Sequence, residues 1–549
     1  MEKREGDHPQ PLSSMEEEPR GEERRGEERR GEREVGEDGG LRGRRKEESR
    51  EEGWRNRGGE GEGGGGEWWN SSIMEIERQA LVDGHGPNVS NAYTINGLLG
   101  DLYNCSSDGT YMLKVVPGET YLLRIINAAL NNQLFFKIAN HTMTVVAVDA
   151  TYTDPMLTDV VVITPGQSVD VLLTADQPLA SYYMAAHAYD SLGLAYDETI
   201  TTGIIMYENA TISTPLMPTL PASNDTSLAF YFYSTLTSLV NGPYWAPVPL
   251  EVDKHMFVTV GLGLTPCEGN DTCGAPLGLA YAACMNNQSF ELPTKLSMLE
   301  ASFYNLTTGI YTTDFPSDPS VVFDFTNTNW SNVLNKSLIM TPRSTRVTKL
   351  KFNTTVQIVL QNTALVGREN HPIHLHGYNF YVLAQGFGNY DPLTDPTMFN
   401  LVNPQKRNTL GVPVGGWAVI RFTANNPGVW LMHCHFDTHI TWGLATAFVV
   451  EDGPTLETSL PPPPPDLPLC SNIPFSPYLT RRLGLEVYLL LAINIVMLDE
   501  LLLLVKFTLR LCGPNLPAIC ANLALSLHIS RLPLEFLENT PHNYRVQKI

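Results

Sequence analysis

Three stretches of the chain share one design: "VVPGETYLLRIINA" from Val115, "VITPGQSVDVLLTA" from Val162 and "GVPVGGWAVIRFTA" from Gly411. Each opens on a Pro/Gly turn and runs into a strand of alternating apolar residues. Proline presets φ for a turn, and glycine supplies the positive φ that several turn types demand. The period of two that follows describes a strand with one buried face. "HTMTVVAVDA" carries the same alternation. Helical periodicity is scarce before residue 480. The recurrence predicts repeated β-sandwich modules, each built from strands at short spacing.

Composition divides the 549 residues into unlike regions. Residues 1–66, with "RGEERRGEERRGEREVGEDGG", are Glu, Arg and Gly with little else. Such a segment buries too little apolar surface to offset the entropy of ordering and reads as a disordered head. Its arginines are balanced by glutamates, and the whole chain carries a formal charge of −22, which argues against a nucleic-acid partner. No basic-then-apolar secretory signal opens it. Residues 67–210 and 225–470 read as two β modules, with the Pro/Thr/Ser-rich stretch at 211–224 as linker. Residues 471–549 form an apolar tail. Asp499 and Glu500 interrupt its most hydrophobic run. A carboxylate at mid-membrane costs about 2.5–3.5 kcal/mol, so a buried or amphipathic helix is expected there rather than a membrane span.

The body carries twelve Asn-x-Ser/Thr sequons, at Asn70, Asn88, Asn104, Asn140, Asn209, Asn224, Asn270, Asn287, Asn305, Asn329, Asn335 and Asn353. This density suggests a secreted glycoprotein. Cys267 and Cys273 are close enough in a Gly/Pro/Asn-rich loop to pair, with Cys284 as a competitor. Cys105 and Cys470 have no evident partner.

The chemistry lies in two clusters. "ENHPIHLHGYNF" contains His371, His374 and His376, and "MHCHFDTHITWGL" contains His433, Cys434, His435 and His439. Side chains alternate across a strand, so both imidazoles of a His-x-His project to one face. Cys434, between His433 and His435, points to the other. One strand can therefore serve two metal sites. On the Cys434 face, a thiolate with the imidazoles of His439 and His371 makes a trigonal set of blue-copper type. Leu444 would occupy the axial position and cannot coordinate, which predicts a higher potential than an axial Met. The opposite face gathers His374, His376, His433 and His435, which suit copper or zinc. A single structural zinc would need fewer ligands than these two clusters offer.

These residues resemble the multicopper oxidases, and within them the plant laccases. The resemblance rests on "HPIHLHG", "HCHFDTHITWGL", "GEWWNSS", "GPNVSNAYTINGLLGDLYNCS", "TYLLRIINAALNNQLFFKIANHTMTVVAVDA" and "PPPPPDLPLC", and covers about residues 67–470. It implies an all-β protein of cupredoxin-like, Greek-key sandwiches, here the family's second and third domains. It implies copper as cofactor, with His371, Cys434 and His439 as type 1 ligands and Leu444 axial. His374 would be a type 2 ligand, and His376, His433 and His435 type 3 ligands. His433, Cys434 and His435 would form the electron path between the sites. The implied reaction is one-electron oxidation of small phenols, of lignin or monolignol type, coupled to reduction of dioxygen to water by a secreted, apoplastic, monomeric enzyme. An ascorbate-oxidase-like enzyme and a non-catalytic electron carrier using only the type 1 site are the alternatives. One departure stands out. The family completes its trinuclear cluster with two further His-x-His motifs in a first domain. The remaining histidines here are His8, His85, His141, His187, His255, His528 and His542, and none forms such a pair. The expectation is a chain without that first domain, with a complete type 1 site and an incomplete trinuclear cluster. The two Cys residues without partners fit it, because the family generally ties both regions to domain one.

Overall fold

The computed structural model describes residues 60–467, apart from residues 87, 105–108, 150, 191–194, 212–213, 268–271, 330–337 and 465. The head up to residue 59, Cys105, Cys470 and the apolar tail lie outside the described residues. So do Asn270 and Asn335.

The described chain forms two β-sandwiches, as the turn–strand recurrence predicts. In the first, a six-stranded sheet runs in the order Ala92–Ile95, Glu60–Trp68, Thr120–Ala128, Ser168–Thr174, Met143–Val148, Thr151–Thr158. It faces a five-stranded sheet in the order Tyr111–Val115, Thr201–Tyr207, Ser181–Tyr189, Gln133–Ile138, Val160–Ile163. Leu123, Ile125, Val169 and Val171 from one sheet and Phe136, Ile138 and Met184 from the other fill a shared core. In the second sandwich one sheet is built around Lys254–Thr265, Thr354–Asn362 and Gly416–Ala424. The opposing sheet runs Val347–Leu350, Ala445–Val450, Gly428–Cys434, His371–Leu375, Thr409–Val412.

The three Pro/Gly turns do what their residues allow. Gly118, Gly166 and Gly415 sit at φ of 83°, 81° and 58°, in the left-handed region that suits glycine. The strands after the first two alternate in burial, as expected. Gly416–Ala424 departs from the expectation and is buried along almost its whole length. Ala418, Ile420 and Phe422 enter the sandwich core. Trp417 and Val419 enter a second cluster with Val248, Val359, Tyr381 and Leu383 on the outer side. A covered outer face removes the need for polar residues there.

Helices are few among the described residues, as expected, at Ile73–Asp83, Thr226–Thr235, Met298–Phe303 and Asp437–Thr441. Two sequence expectations are corrected. First, the disordered head does not extend to residue 66. Glu60–Trp68 is a strand, parallel to Thr120–Ala128 and antiparallel to Ala92–Ile95. Glycine disfavours strands, but ladder hydrogen bonds come from the backbone alone, and two neighbouring strands supply them. Second, the second module does not begin cleanly at 225. Asp225 caps the Thr226–Thr235 helix by accepting from Leu228 N at 3.0 Å. That helix buries Ala229, Phe232 and Tyr233 in the core of the first sandwich. The linker is also docked, since Leu216 exchanges hydrogen bonds with Ser181 and Tyr183.

The two sandwiches meet along a polar seam. Asp149 and Arg407 form a buried ion pair at 3.3 Å, with side chains 2% and 0% exposed. Asp149 also accepts from Asn408 N at 3.0 Å, and Gln167 Nε2 donates to Thr409 O at 2.9 Å. Asp437 N donates to Leu130 O, and Thr438 N to Asn131 Oδ1. Thr409–Val412 pairs directly with His371–Leu375, so the seam lies against a strand that carries histidines.

Candidate metal centres

Both histidine clusters fall on one sheet. His371–Leu375 pairs antiparallel with Gly428–Cys434, setting Ile373 opposite Cys434 and His374 opposite His433. Strand alternation then sorts the donors. Cys434 turns into the sandwich core with Ile373, Leu410 and Leu444, while His374 and His433 turn outward.

On the inner face His371, Cys434 and His439 converge, all buried. Cys434 Sγ lies 3.5 Å from His439 Nδ1 and 4.0 Å from His371 Nδ1. A trigonal metal with bonds of about 2.3 Å to sulfur and 2.0 Å to nitrogen would separate sulfur and nitrogen by about 3.7 Å. The residues present therefore fit one such ion, and a thiolate with two imidazoles favours copper. His439 comes from the short Asp437–Thr441 helix. Its backbone carbonyl accepts from Leu444 N at 2.9 Å, and Leu444 O accepts from Cys434 N at 3.0 Å. These bonds hold the helix, the axial candidate and the thiol together. His439 Nε2 lies 2.8 Å from Glu369 Oε2. Burial alone would depress the His439 pKa, but Glu369 and Cys434 together raise it to about 10. His371, buried and beside His439, is driven well below its ordinary value.

On the outer face His374, His376 and His433 bring donor atoms within 4.8 Å of one another. His376 Nε2 and His433 Nε2 are 3.0 Å apart. Each of two Nδ1 atoms is occupied: His374 Nδ1 bonds Thr409 Oγ1 at 2.8 Å, and His433 Nδ1 bonds Cys434 O at 2.7 Å. Burial, followed by neighbouring histidines, lowers the His374 pKa to about 4. Burial also dominates at His433, with neighbouring histidines adding to it, and lowers its pKa to about 3. These rings are neutral at physiological pH, the state a metal requires. His435 completes the expected four only loosely. Its ring centroid is 5.7 Å from those of both His374 and His433, and its donors fall outside the three-histidine group. The three-histidine group could hold one metal ion.

Sequence reasoning missed Glu369, Thr409, Asn408 and Gly166. Glu369 sits inside the quoted "ENHPIHLHG", yet nothing local signals its reach to His439, seventy positions on. The Cys267–Cys273 disulfide forms as expected, and Cys284 is a buried free thiol.

Comparison with known proteins shows the family. Two models of the multicopper oxidase family match, at residues 64–210 and 314–454. Laccase-7 of Arabidopsis thaliana is 58% identical over 410 residues, covering 74% of this chain and 71% of that protein. Laccase-3 of Oryza sativa subsp. japonica is 52% identical over 411 residues, with the same coverage. The crystal structure of a laccase from Botrytis aclada superposes with a TM-score of 0.51 at 25% identity, over 71% of this chain and 64% of that one. Fet3p, described as a multicopper oxidase that functions in iron import, shares the fold at a TM-score of 0.53 and 21% identity, over 72% of this chain and 66% of that one. The chain belongs to the multicopper oxidase family. Within it, the resemblance read from "HPIHLHG" and "HCHFDTHITWGL" holds: the relatives are plant laccases, and copper is the cofactor the family implies.

Proposed function

We propose that this chain is a laccase-type oxidoreductase that takes electrons singly from small phenols at the inner site. One observation carries this reading: a buried thiol flanked by two imidazole Nδ1 atoms at 3.5 and 4.0 Å. In it His371, Cys434 and His439 are the type 1 ligands and Leu444 fills the axial position. His374 is a type 2 ligand, and His376, His433 and His435 are type 3 ligands. Bound copper would supply one-electron chemistry on the inner face and oxygen chemistry on the outer. The protein's part is to bury the thiolate, exclude water and hold the imidazoles. Cys434 is bonded through the backbone to both His433 and His435, so an electron leaving the thiolate has a covalent route to the outer face.

The outer face sets the limit. Four imidazoles do not complete three coordination shells, so turnover of dioxygen by this chain alone should be severely reduced. That same shortage favours a second reading, an electron-transfer protein that uses only the inner site. Copper loading followed by absorption spectroscopy tests the first step. A thiolate-to-copper charge-transfer band is expected, and its absence would sink the inner-site assignment. Oxygen uptake with a small phenol then separates the two readings. Fast uptake overturns the argument from missing ligands, and reduction of the blue centre without uptake supports the electron carrier.

Secretion with glycosylation belongs to the same proposal. Nine of the ten described sequon asparagines are exposed, and Asn140, Asn209, Asn305 and Asn353 sit at left-handed turn positions. Asn287 is the exception. It is half-buried, and with its amide turned to put nitrogen toward Met340 O and Leu338 O it donates to both at 3.2 Å, which occupies the atom a glycan would take. No described helix is long and apolar enough to cross a membrane.

A further inference from the structure

The first sandwich contributes no histidine to either centre, yet it touches the outer one. Thr409 Oγ1 lies 2.8 Å from His374 Nδ1, 3.3 Å from Gly166 O and 2.9 Å from Asn408 Oδ1. A hydroxyl has one proton to give. When that proton goes to Asn408 Oδ1 or Gly166 O, Thr409 accepts from His374, which places the imidazole proton on Nδ1 and leaves the Nε2 lone pair for a metal. Asn408 also bonds His374, and Asp149 of the first sandwich holds Asn408 N at 3.0 Å. Gly166 acts on a second histidine. A Cβ on Gly166 would collide with His435 Cδ2, so the turn packs directly against that ring.

We propose that the Pro165–Gly166 turn, acting through Thr409, is an interdomain positioning device that sets the tautomer of His374 and the placement of His435. The first sandwich thereby tunes a metal site to which it donates no ligand. Partners of this kind typically change metal affinity about 10–100-fold. The proposal rests on the reading of His374 as a ligand, and the test keeps the two apart.

The probe is Cu(II) added to the metal-free full chain, followed by equilibrium dialysis and EPR. Wild type is expected to bind one copper with the blue thiolate signature and one without it. Failure to bind the non-blue copper would refute the reading of the outer face itself. Given that binding, Thr409→Val should weaken the non-blue copper about tenfold or more and leave the blue band in place. Thr409→Ser, which keeps the hydroxyl, should restore the affinity. Gly166→Ala should alter the EPR hyperfine pattern of the non-blue copper through His435. Equal affinity in wild type and Thr409→Val overturns the relay. So does parallel loss of both coppers in Thr409→Val, or failure of Thr409→Ser to rescue, because either would mark a general packing role.

Discussion

The two faces of the Gly428–Cys434 strand carry donors of similar kind in opposite surroundings. The inner set lies inside one sandwich, with His371, Cys434, His439 and Leu444 all at most 3% exposed. The outer set lies where that sandwich meets its neighbour, and His376 there is exposed. The inner face is finished within a single domain, so its geometry follows from one core. The outer face depends on a seam. A copper protein built this way can keep its electron-accepting centre while the other centre varies with what is packed beside it.

The largest expected contrast comes from Cys434→Ser. It should abolish the charge-transfer band entirely, while dialysis still finds copper on the outer face; loss of both coppers would mean that the faces are not independent. Next is the seam. Asp149→Ala leaves the Arg407 charge buried without its partner, which should cost about 3–5 kcal/mol in urea unfolding. In the surviving folded protein the non-blue copper should weaken while the blue band persists.

A third prediction uses pH, because His439 responds with the opposite sign to His374, His433 and its own neighbour His371 in the metal-free chain. His374 and His433 are lowered from 6.5 to about 4 and about 3. The unfolded chain therefore takes up protons first, and stability should fall as pH drops below 6.5 toward 4. His439 is raised to about 10, so its contribution is complete below 6.5 and is lost as pH climbs through 10. Urea midpoints across this range should peak between the two limbs. Glu369→Gln should flatten only the alkaline limb, and an unchanged limb would remove Glu369 as its cause. The smallest effect is Leu444→Met. An axial thioether should lower the midpoint potential of the blue centre, read by redox titration, without changing the outer copper.

Much of the inner site was legible because it is written locally. Strand alternation alone puts Cys434 opposite in direction to His433 and His435, and the chain turns back within a few residues to deliver His439. The Pro/Gly turns announced the sandwiches for an equally local reason. What escaped was non-local or carried by the backbone. Glu369 and Thr409 acquire meaning only when strands far apart in sequence pair. The helix at Thr226–Thr235 was hidden by its aromatic content, and its allegiance to the first sandwich depends on a surface that no periodicity describes. The Glu60–Trp68 strand escaped because its glycines have no pattern to show.

That strand has a consequence of its own. In most strands, slipping by one position would throw apolar side chains into water, and this is what locks the pairing. From Gly63 to Gly66 no side chain exists to object. Alignment is instead held by a few polar clasps: Gly64 N donates to Asn96 Oδ1 at 2.6 Å, and Glu67 accepts from Asn131 N and Trp69 Nε1, each at 3.2 Å. The sheet is threaded here by a ribbon that carries almost no information about where it belongs. Asn96 and Glu67 act as its index marks, and losing them would leave a strand still able to pair but no longer told at which rung to begin.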